Sequence, residues 1–365
     1  MQSEHFKTLL TSHGPYGSVY FDDSHNTEDA TAALEIKWRT IRKELEQQGA
    51  DAALTDSIEQ AVIGSRPPVG RSGRAVIASA EGVLVNEHLI RPAGPVVRVS
   101  PLPYLVPVVE HGVDKATYAV VIVDHEGADI TLWREGTAVS DTVDGDAYPV
   151  HKASGAESAG YGDPQRTAEG ARQQNIRTVA DRLEKLVDDA SPEIVFLVGE
   201  VRSRSDLTAE LPERAASRVV ELRVGARHSG FDDDALQYEI EQEFLRRRVT
   251  VIDDAAQRFT AEIGRGSGLA TEGFDGVTAA LRAGAVDTLI IGELGDATVV
   301  ADDDMTVIAP NPNVLSELGA APAQTLRADE ALPMVAIATD ASLVRTDERL
   351  SPKDGIAAVL RYALP

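Results

Sequence analysis

Three arginines in one short stretch of the sequence have the chemistry to bind phosphate groups. Residues 65–80 contain Arg66, Arg71 and Arg74, with glycine and proline between them and no acidic residue. Guanidinium groups donate hydrogen bonds to phosphate oxygens, and such contacts hold a protein on nucleic acid. In an otherwise acidic chain, the stretch predicts a local positive loop that binds phosphate. The alternative, on the residues alone, is an ordinary solvated turn.

A second group of candidate binding residues surrounds a long run of small residues. Residues 153–160 are mostly alanine, serine and glycine, and a connection of this length inside a compact domain usually serves a function. Asp163 and Pro164 are typical of a helix start, and Tyr161 has the ring needed to stack on a base. The alternative is a disordered surface insertion. The candidate residues of this stretch are His151, Lys152, Tyr161, Gly162, Gln165 and Arg166.

No other motif predicts a self-contained catalytic or metal site. The glycine-rich residues 264–268 follow a predicted helix and lack the Lys-Ser/Thr ending of a phosphate-binding loop, so they predict a helix stop. The aspartates at 232–234 and 302–304 are adjacent in sequence, and adjacent carboxylates point apart. No His-Glu-x-x-His pair and no nucleophile elbow occurs. We therefore expect no catalytic residue, no metal and no cofactor.

Composition narrows the possible classes of protein. The 365 residues include 35 basic and 59 acidic residues, a net charge of −24, which argues against coating nucleic acid by bulk charge. Residues 231–365 hold 11 basic and 24 acidic residues, so nucleic-acid contacts are expected in the first two thirds of the chain. The absence of cysteine excludes thiolate nucleophiles, Cys-type zinc sites and iron–sulfur clusters. With no secretion signal and no apolar run of membrane-spanning length, we expect a cytoplasmic protein without a membrane partner.

The helices and strands predicted to position these residues are those of an α/β protein with three domains. We assign them to residues 1–113, 114–230 and 231–365. Spacing of apolar residues predicts helices at about 30–47, 52–63 and 165–187, and a long helix that follows residue 234 and ends near 263. A hairpin is predicted at 118–133, and short apolar runs predict buried strands at 194–198, 288–291 and 335–338.

The order of these elements resembles the archaeo-eukaryotic release factor and Pelota superfamily. A hairpin ending in residues 145–152 leads to a loop and a helix, where release factors carry their Gly-Gly-Gln loop. Residues 273–277, residues 281–291 and the closing residues 354–362 are similar to motifs of the family's C-terminal domain. Within the superfamily, the chain more closely resembles the actinobacterial members of the Balon-type ribosome hibernation factors.

The resemblance implies where each part of the protein would act. The partner would be the 70S ribosome, and the protein would bind its A site. An N-terminal α/β domain would face the decoding centre, with Arg66, Arg71 and Arg74 on small-subunit RNA. The loop at 153–165 of the middle α/β domain would reach the peptidyl transferase centre, with the second group of candidates on large-subunit RNA. A C-terminal α/β/α sandwich would face the stalk base and a translational GTPase such as elongation factor Tu.

One departure from the family pattern bears on activity. Where release factors have Gly-Gly-Gln, this chain has Tyr161, Gly162, Asp163, Pro164 and Gln165. Proline fixes φ and restricts the residue before it, so this loop lacks the freedom of two glycines. We therefore expect a hibernation factor and not an efficient enzyme. Two alternatives stay open: a peptidyl-tRNA hydrolase or ribosome-rescue factor that uses Gln165, and a stress protein that binds protein partners only.

Overall fold

The chain folds into two compact units. The computed structural model describes residues 3–24, 30–64, 72–89, 94–112, 117–134, 137–144, 164–225, 232–303, 305, 307–347 and 349–364. One unit combines Met1–Asp114 with Leu245–Pro365, and the other is Lys115–Phe244. The N-terminal and C-terminal segments, for which the sequence predicts separate domains, thus share one unit. The domain boundary after residue 230 stays a prediction, and the two compact units divide after Phe244.

The N-terminal segment is a four-stranded antiparallel sheet covered by two helices. The strands lie in the order β3-β2-β1-β4. The segment consists of a 3-10 helix (Ser3–Thr11), β1 (Tyr16–Asp22), α1 (Ala30–Gln47), α2 (Ala52–Ile63), β2 (Gly73–Ser79), β3 (Gly82–Leu89), β4 (Val96–Ser100) and α3 (Val106–His111). Helix α1 forms because Leu34, Trp38, Ile41 and Leu45 recur at helical spacing and are buried on one face of the sheet. Both α1 and α2 have the predicted bounds.

The middle unit is a five-stranded sheet in the order β7-β6-β5-β8-β9. Its strands are antiparallel from β7 to β5, and β5, β8 and β9 run parallel. The elements are β5 (Tyr118–Val123), β6 (Gly127–Arg134), β7 (Thr137–Asp144), α4 (Pro164–Ala190), β8 (Ile194–Gly199), α5 (Val201–Glu210), α6 (Glu213–Ala216) and β9 (Val219–Glu221). The predicted hairpin, α4 and β8 are confirmed, whereas β7 was not predicted.

The C-terminal segment is an α/β/α sandwich, which confirms the predicted α/β fold class. Its main sheet has the order β10-β16-β11-β15, and a second sheet has the order β13-β12-β14. The second half of helix α7, with Ala255 and Phe259, packs on one face of the main sheet, and α8 and α10 pack on the other. The residues of α7 up to Phe244 belong to the middle unit, where Leu236 and Ile240 are buried. The elements are α7 (Asp233–Arg265), β10 (Ala270–Glu272), α8 (Gly273–Arg282), β11 (Val286–Ile291), β12 (Thr298–Ala301), β13 (Ile308–Ala309), α9 (Pro312–Glu317), β14 (Gln324–Arg327), α10 (Ala328–Ala338), β15 (Ser342–Arg345) and β16 (Ile356–Leu360).

The strand predicted at residues 335–338 is wrong, because these residues belong to α10. Helix α10 is buried on nearly all sides, so its apolar residues form a continuous run instead of a stripe. Such a run does not distinguish a buried strand from a buried helix. Among the helices of the described ranges, none combines the length and the apolar character needed to cross a bilayer.

Two of the motifs that carry the family resemblance meet at the start of α8. Asp354 Oδ2 accepts a hydrogen bond from the Phe274 backbone N–H, 3.3 Å away. Gly355 has φ +74, and a Cβ at this position would lie 2.1 Å from the Glu293 carbonyl oxygen. Only glycine therefore fits between β16 and the end of β11. These motifs are explained by the packing of the C-terminal segment.

A buried ion-pair cluster joins the N-terminal and C-terminal segments. Arg98 of β4 donates to Asp329 Oδ2 at 2.9 Å and to Glu330 Oε1 at 3.2 Å, both at the start of α10. The Arg98 side chain is 25% exposed, and that of Glu330 is 3% exposed. The Arg98 guanidinium carbon also lies 3.5 Å from the centre of the Tyr104 ring. Burial raises the pKa of Glu330, and the neighbouring Asp329 raises this pKa further.

We expect Arg98→Ala to lower the free energy of unfolding by about 3 kcal/mol, because it leaves the buried carboxylate of Glu330 without its cation. Asp329 keeps its pairing with Arg327 at 3.0 Å. The loss should be largest at alkaline pH and shrink as the pH falls, since the raised pKa of Glu330 allows this carboxyl to become neutral. Urea unfolding followed by circular dichroism at several pH values measures both effects.

The matched control is Arg265→Ala, which removes an exposed arginine that pairs with Glu262 at 2.7 Å. Exposed pairs contribute up to about 1 kcal/mol. Equal losses in the two variants, or a loss for Arg98→Ala that does not change with pH, would contradict the structural role given to Arg98.

Candidate functional site

The middle unit holds both ends of the segment that carries most of the predicted binding residues. This segment, residues 145–163, connects β7 to α4. His151, Lys152, Tyr161 and Gly162 belong to it and lie outside the described residues. The candidate site is therefore defined by the two anchors at its base and by the start of α4.

The first anchor is the end of the edge strand β7. Asp144 pairs with Gly127 across the β6–β7 ladder. Gly127 belongs to the turn between β5 and β6, and the carboxylate of Asp124 fixes this turn. Asp124 Oδ1 accepts the backbone N–H groups of Glu126 at 2.7 Å and of Gly127 at 2.9 Å. The segment therefore leaves the sheet beside a turn whose backbone is already hydrogen-bonded.

The second anchor is α4, which packs along the sheet and is tied to the first anchor. Ile176, Val179 and Leu183 recur at helical spacing and are buried against the sheet. Asn175 Nδ2 donates to the His125 carbonyl oxygen at 3.2 Å, which attaches α4 to the β5–β6 turn.

An ion pair attaches α4 to the edge strand as well. Arg182 Nε donates to Asp141 Oδ2 of β7 at 2.7 Å. Both elements that flank residues 145–163 are thus connected to each other by side-chain contacts. The base of the segment is held by the sheet, the turn and the helix together.

The base lies at the carboxyl ends of two parallel strands. Val123 at the end of β5 pairs with Gly199 at the end of β8. Gly199 has φ +137, and a Cβ there would lie 2.0 Å from the Val123 carbonyl oxygen. The glycine therefore permits the two strand ends to approach closely. In sheets with parallel strands, ligands are bound outside these carboxyl ends.

Gln165 and Arg166 are the second and third residues of α4, directly after Pro164. Proline suits the first position of a helix because its fixed φ is helical and it has no N–H to satisfy. The backbone at Gln165 is therefore held in the helical conformation. In the described part of the chain, no group of three or more acidic or histidine residues is arranged to hold a metal ion.

Arg74, predicted to face RNA, is instead buried inside the N-terminal segment. Its side chain is 2% exposed and forms an ion pair with Asp23 at 3.2 Å. It also donates to Asn86 Oδ1 at 2.7 Å and to the Ala61 carbonyl oxygen at 2.9 Å. A guanidinium with these partners is not available to an external phosphate, so this prediction is corrected. Arg66 and Arg71 lie outside the described residues.

The residues that anchor the site were not among the sequence predictions. Asp124 had a signal, because an aspartate before a turn commonly accepts the backbone N–H groups that follow it. Gly199 had a weaker signal as the glycine that ends a buried strand. Asn175 and the Arg182–Asp141 pair had none, since their partners are distant in the sequence.

Similarity to known proteins agrees with this architecture. The model of the bacterial archaeo-eukaryotic release factor family 2 matches residues 117–265, which include both anchors and the segment between them. Two uncharacterized proteins of Mycobacterium tuberculosis, Rv2629 of strain H37Rv and MT2704 of strain CDC 1551, are each 52% identical to this chain over 364 residues. The aligned region covers 100% of this chain and 97% of each of them.

Similarity to solved structures is distant. The crystal structure of Archaeoglobus fulgidus Pelota is 14% identical, with a TM-score of 0.38 over 80% of this chain and 84% of that chain. An archaeal translation termination factor, aRF1, is 15% identical with a TM-score of 0.26 over 99% of both chains. Values this low carry no argument about function. On the family match, residues 117–265 belong to the bacterial archaeo-eukaryotic release factor family 2, and the whole chain is related to the two Mycobacterium tuberculosis proteins.

Proposed function

We propose that this protein is a ribosome hibernation factor, which binds the A site of idle ribosomes without efficient hydrolysis of peptidyl-tRNA. The observation that carries the proposal is the start of α4, where Gln165 follows Pro164 inside the helix. Hydrolysis in release factors needs a glutamine on a glycine loop that can position a water molecule. In this chain the middle unit matches the family model, but Pro164 and helix α4 fix the backbone conformation at Gln165.

The anchored segment would supply the contact with the large subunit. The turn at Asp124, the Asn175 contact and the Arg182–Asp141 pair hold its base. Residues 145–163 would extend from this base into the peptidyl transferase centre and block it.

The proposed partners follow from charge and from the family. Arg66 and Arg71 would contact RNA of the decoding centre. The large-subunit RNA would be bound by His151, Lys152, Tyr161, Gly162, Gln165 and Arg166. The C-terminal segment, with 24 acidic and 11 basic residues after residue 230, would bind stalk-base proteins and a translational GTPase such as elongation factor Tu. The protein would act in the cytoplasm, where ribosomes lie.

We expect the purified protein to sediment with vacant 70S ribosomes on a sucrose gradient, and to dissociate as salt rises from about 50 to 200 mM. Binding should be salt-sensitive although the protein has a net charge of −24, because local cations release counterions from RNA. Free protein at every salt concentration would contradict ribosome binding and favour a stress protein that binds only proteins.

We expect no release of labelled peptide from ribosomes that carry peptidyl-tRNA, either with the wild type or with Gln165→Ala. The reason is that the backbone at Gln165 is held by α4 and cannot adopt the conformations of a glycine loop. The matched control is Gln173→Ala, on the exposed side of the same helix, and puromycin verifies that the ribosomes are reactive. Multiple-turnover release that Gln165→Ala abolishes and Gln173→Ala keeps would instead establish the hydrolase.

A further inference from the structure

The outer face of α1 carries two neighbouring cations without a described carboxylate partner. Arg39 and Lys43 are exposed, and their spacing of four residues places them on the same face of the helix. Arg42, between them in sequence, points elsewhere and pairs with Glu46, Asp56 and Glu59. Like charges at this spacing destabilise a helix. An anionic ligand bound across both side chains would remove this repulsion.

Several exposed arginines of the described ranges have a carboxylate within ion-pair distance. Examples are Arg202, Arg214, Arg258, Arg265 and Arg349. Arg39 and Lys43 have no such partner among the described residues, and the same holds for Arg134, Arg223, Lys185 and Lys353. Arg39 and Lys43 differ from these four because they lie one helical turn apart on the same face of one helix.

The side chains around the two cations fit a nucleic-acid backbone. The outer face of α1, opposite the buried stripe that contains Trp38, also presents Ile36, Thr40 and Gln47, and the exposed carboxylates of Glu35 and Glu44 lie at its two edges. Hydroxyl, amide and cationic side chains are the groups that contact phosphate and sugar. Ile36 is 63% exposed and is the one large apolar residue of this face. A protein-docking site would instead centre on a cluster of aromatic and apolar anchors.

We propose that the α1 face, formed by Ile36, Arg39, Thr40, Lys43 and Gln47, binds the phosphate backbone of ribosomal RNA. The inference rests on the proposed ribosome binding and assigns the N-terminal segment a contact that the sequence predictions did not contain. Arg39 and Lys43 thereby take the RNA-binding role that was expected of Arg74, whose guanidinium is buried against Asp23. Arg39 and Lys43 supply the charge, and Thr40 and Gln47 supply hydrogen bonds at its rim.

A photo-crosslink from the centre of this face identifies its ligand. The chain has no cysteine, so Ile36→Cys creates one unique site for a benzophenone reagent, and the exposed position tolerates the change. With vacant 70S ribosomes, we expect a crosslinked product that ribonuclease digests. A crosslink to protein that survives ribonuclease, or no crosslink while the labelled protein is bound, overturns the RNA assignment.

Charge reversal tests the contribution of the two cations in the full-length chain. We expect Arg39→Glu/Lys43→Glu to weaken co-sedimentation at least tenfold at low salt. The milder Arg39→Ala/Lys43→Ala variant should lower the slope of log affinity against log salt by roughly 1.5. The control, Lys185→Glu/Lys353→Glu, changes the net charge equally at two other exposed positions and should leave the affinity within about twofold, as the remote charge releases no counterions.

Circular dichroism verifies that the variants fold. Equal weakening in the α1 variant and in the control would overturn the α1 proposal while ribosome binding stands. Failure of the wild type to bind ribosomes would overturn the proposed function itself, and the α1 assignment with it.

Discussion

Arg98 of β4 reaches across to the C-terminal segment and pairs with two carboxylates that the fold has removed from water, one of which, Asp329, also pairs with Arg327. Asp329 and Glu330 lie at the buried start of α10, where the helix dipole favours negative charge but burial opposes it. Arg98 supplies the cation from β4, and Arg345 contacts Glu110 at 3.4 Å in the same joint. A shared apolar core, with Phe6 and Leu9 from one segment and Leu332 from the other, surrounds this joint. The two segments thereby form one unit although the middle unit separates them in sequence.

In the middle unit, side-chain contacts between distant elements likewise hold the base of the candidate site. Residues 145–163 are framed by an edge strand, a turn fixed by Asp124 and a long helix, and side-chain contacts connect all three. Close approach of β5 and β8 at Gly199 brings the strand ends together at this base. This framework holds the described residues at both ends of the segment.

Sequence patterns predict the local elements well and the long-range contacts poorly. The bounds of α1 and α2 follow from apolar spacing, and for α2 also from Asp51, whose side chain accepts the Leu54 N–H. Arg74 was misassigned because its partner Asp23 lies 51 residues away and no local pattern indicates that a guanidinium is buried. The Arg98–Asp329 contact spans 231 residues and has no sequence signal.

The candidate site was predicted only in part, for a related physical reason. Asp163 and Pro164 form a local signal for a helix start, and Gln165 and Arg166 lie in the first turn of α4, as this signal predicts. The anchors at Asn175 and Arg182 become visible only when α4 is laid on the sheet. Arg39 and Lys43 of α1 could be identified only from the structure, because the sequence does not show which cations pair with a described carboxylate, as Arg42 does with Glu59.

We propose that one chain occupies both functional centres of an idle ribosome. Dimethyl sulfate probing of ribosomal RNA in vacant 70S ribosomes, with and without the protein, tests it most directly. We expect protection of nucleotides in the decoding centre and in the peptidyl transferase centre at the same protein concentration. Bound protein that leaves the peptidyl transferase nucleotides as reactive as in free ribosomes would contradict it.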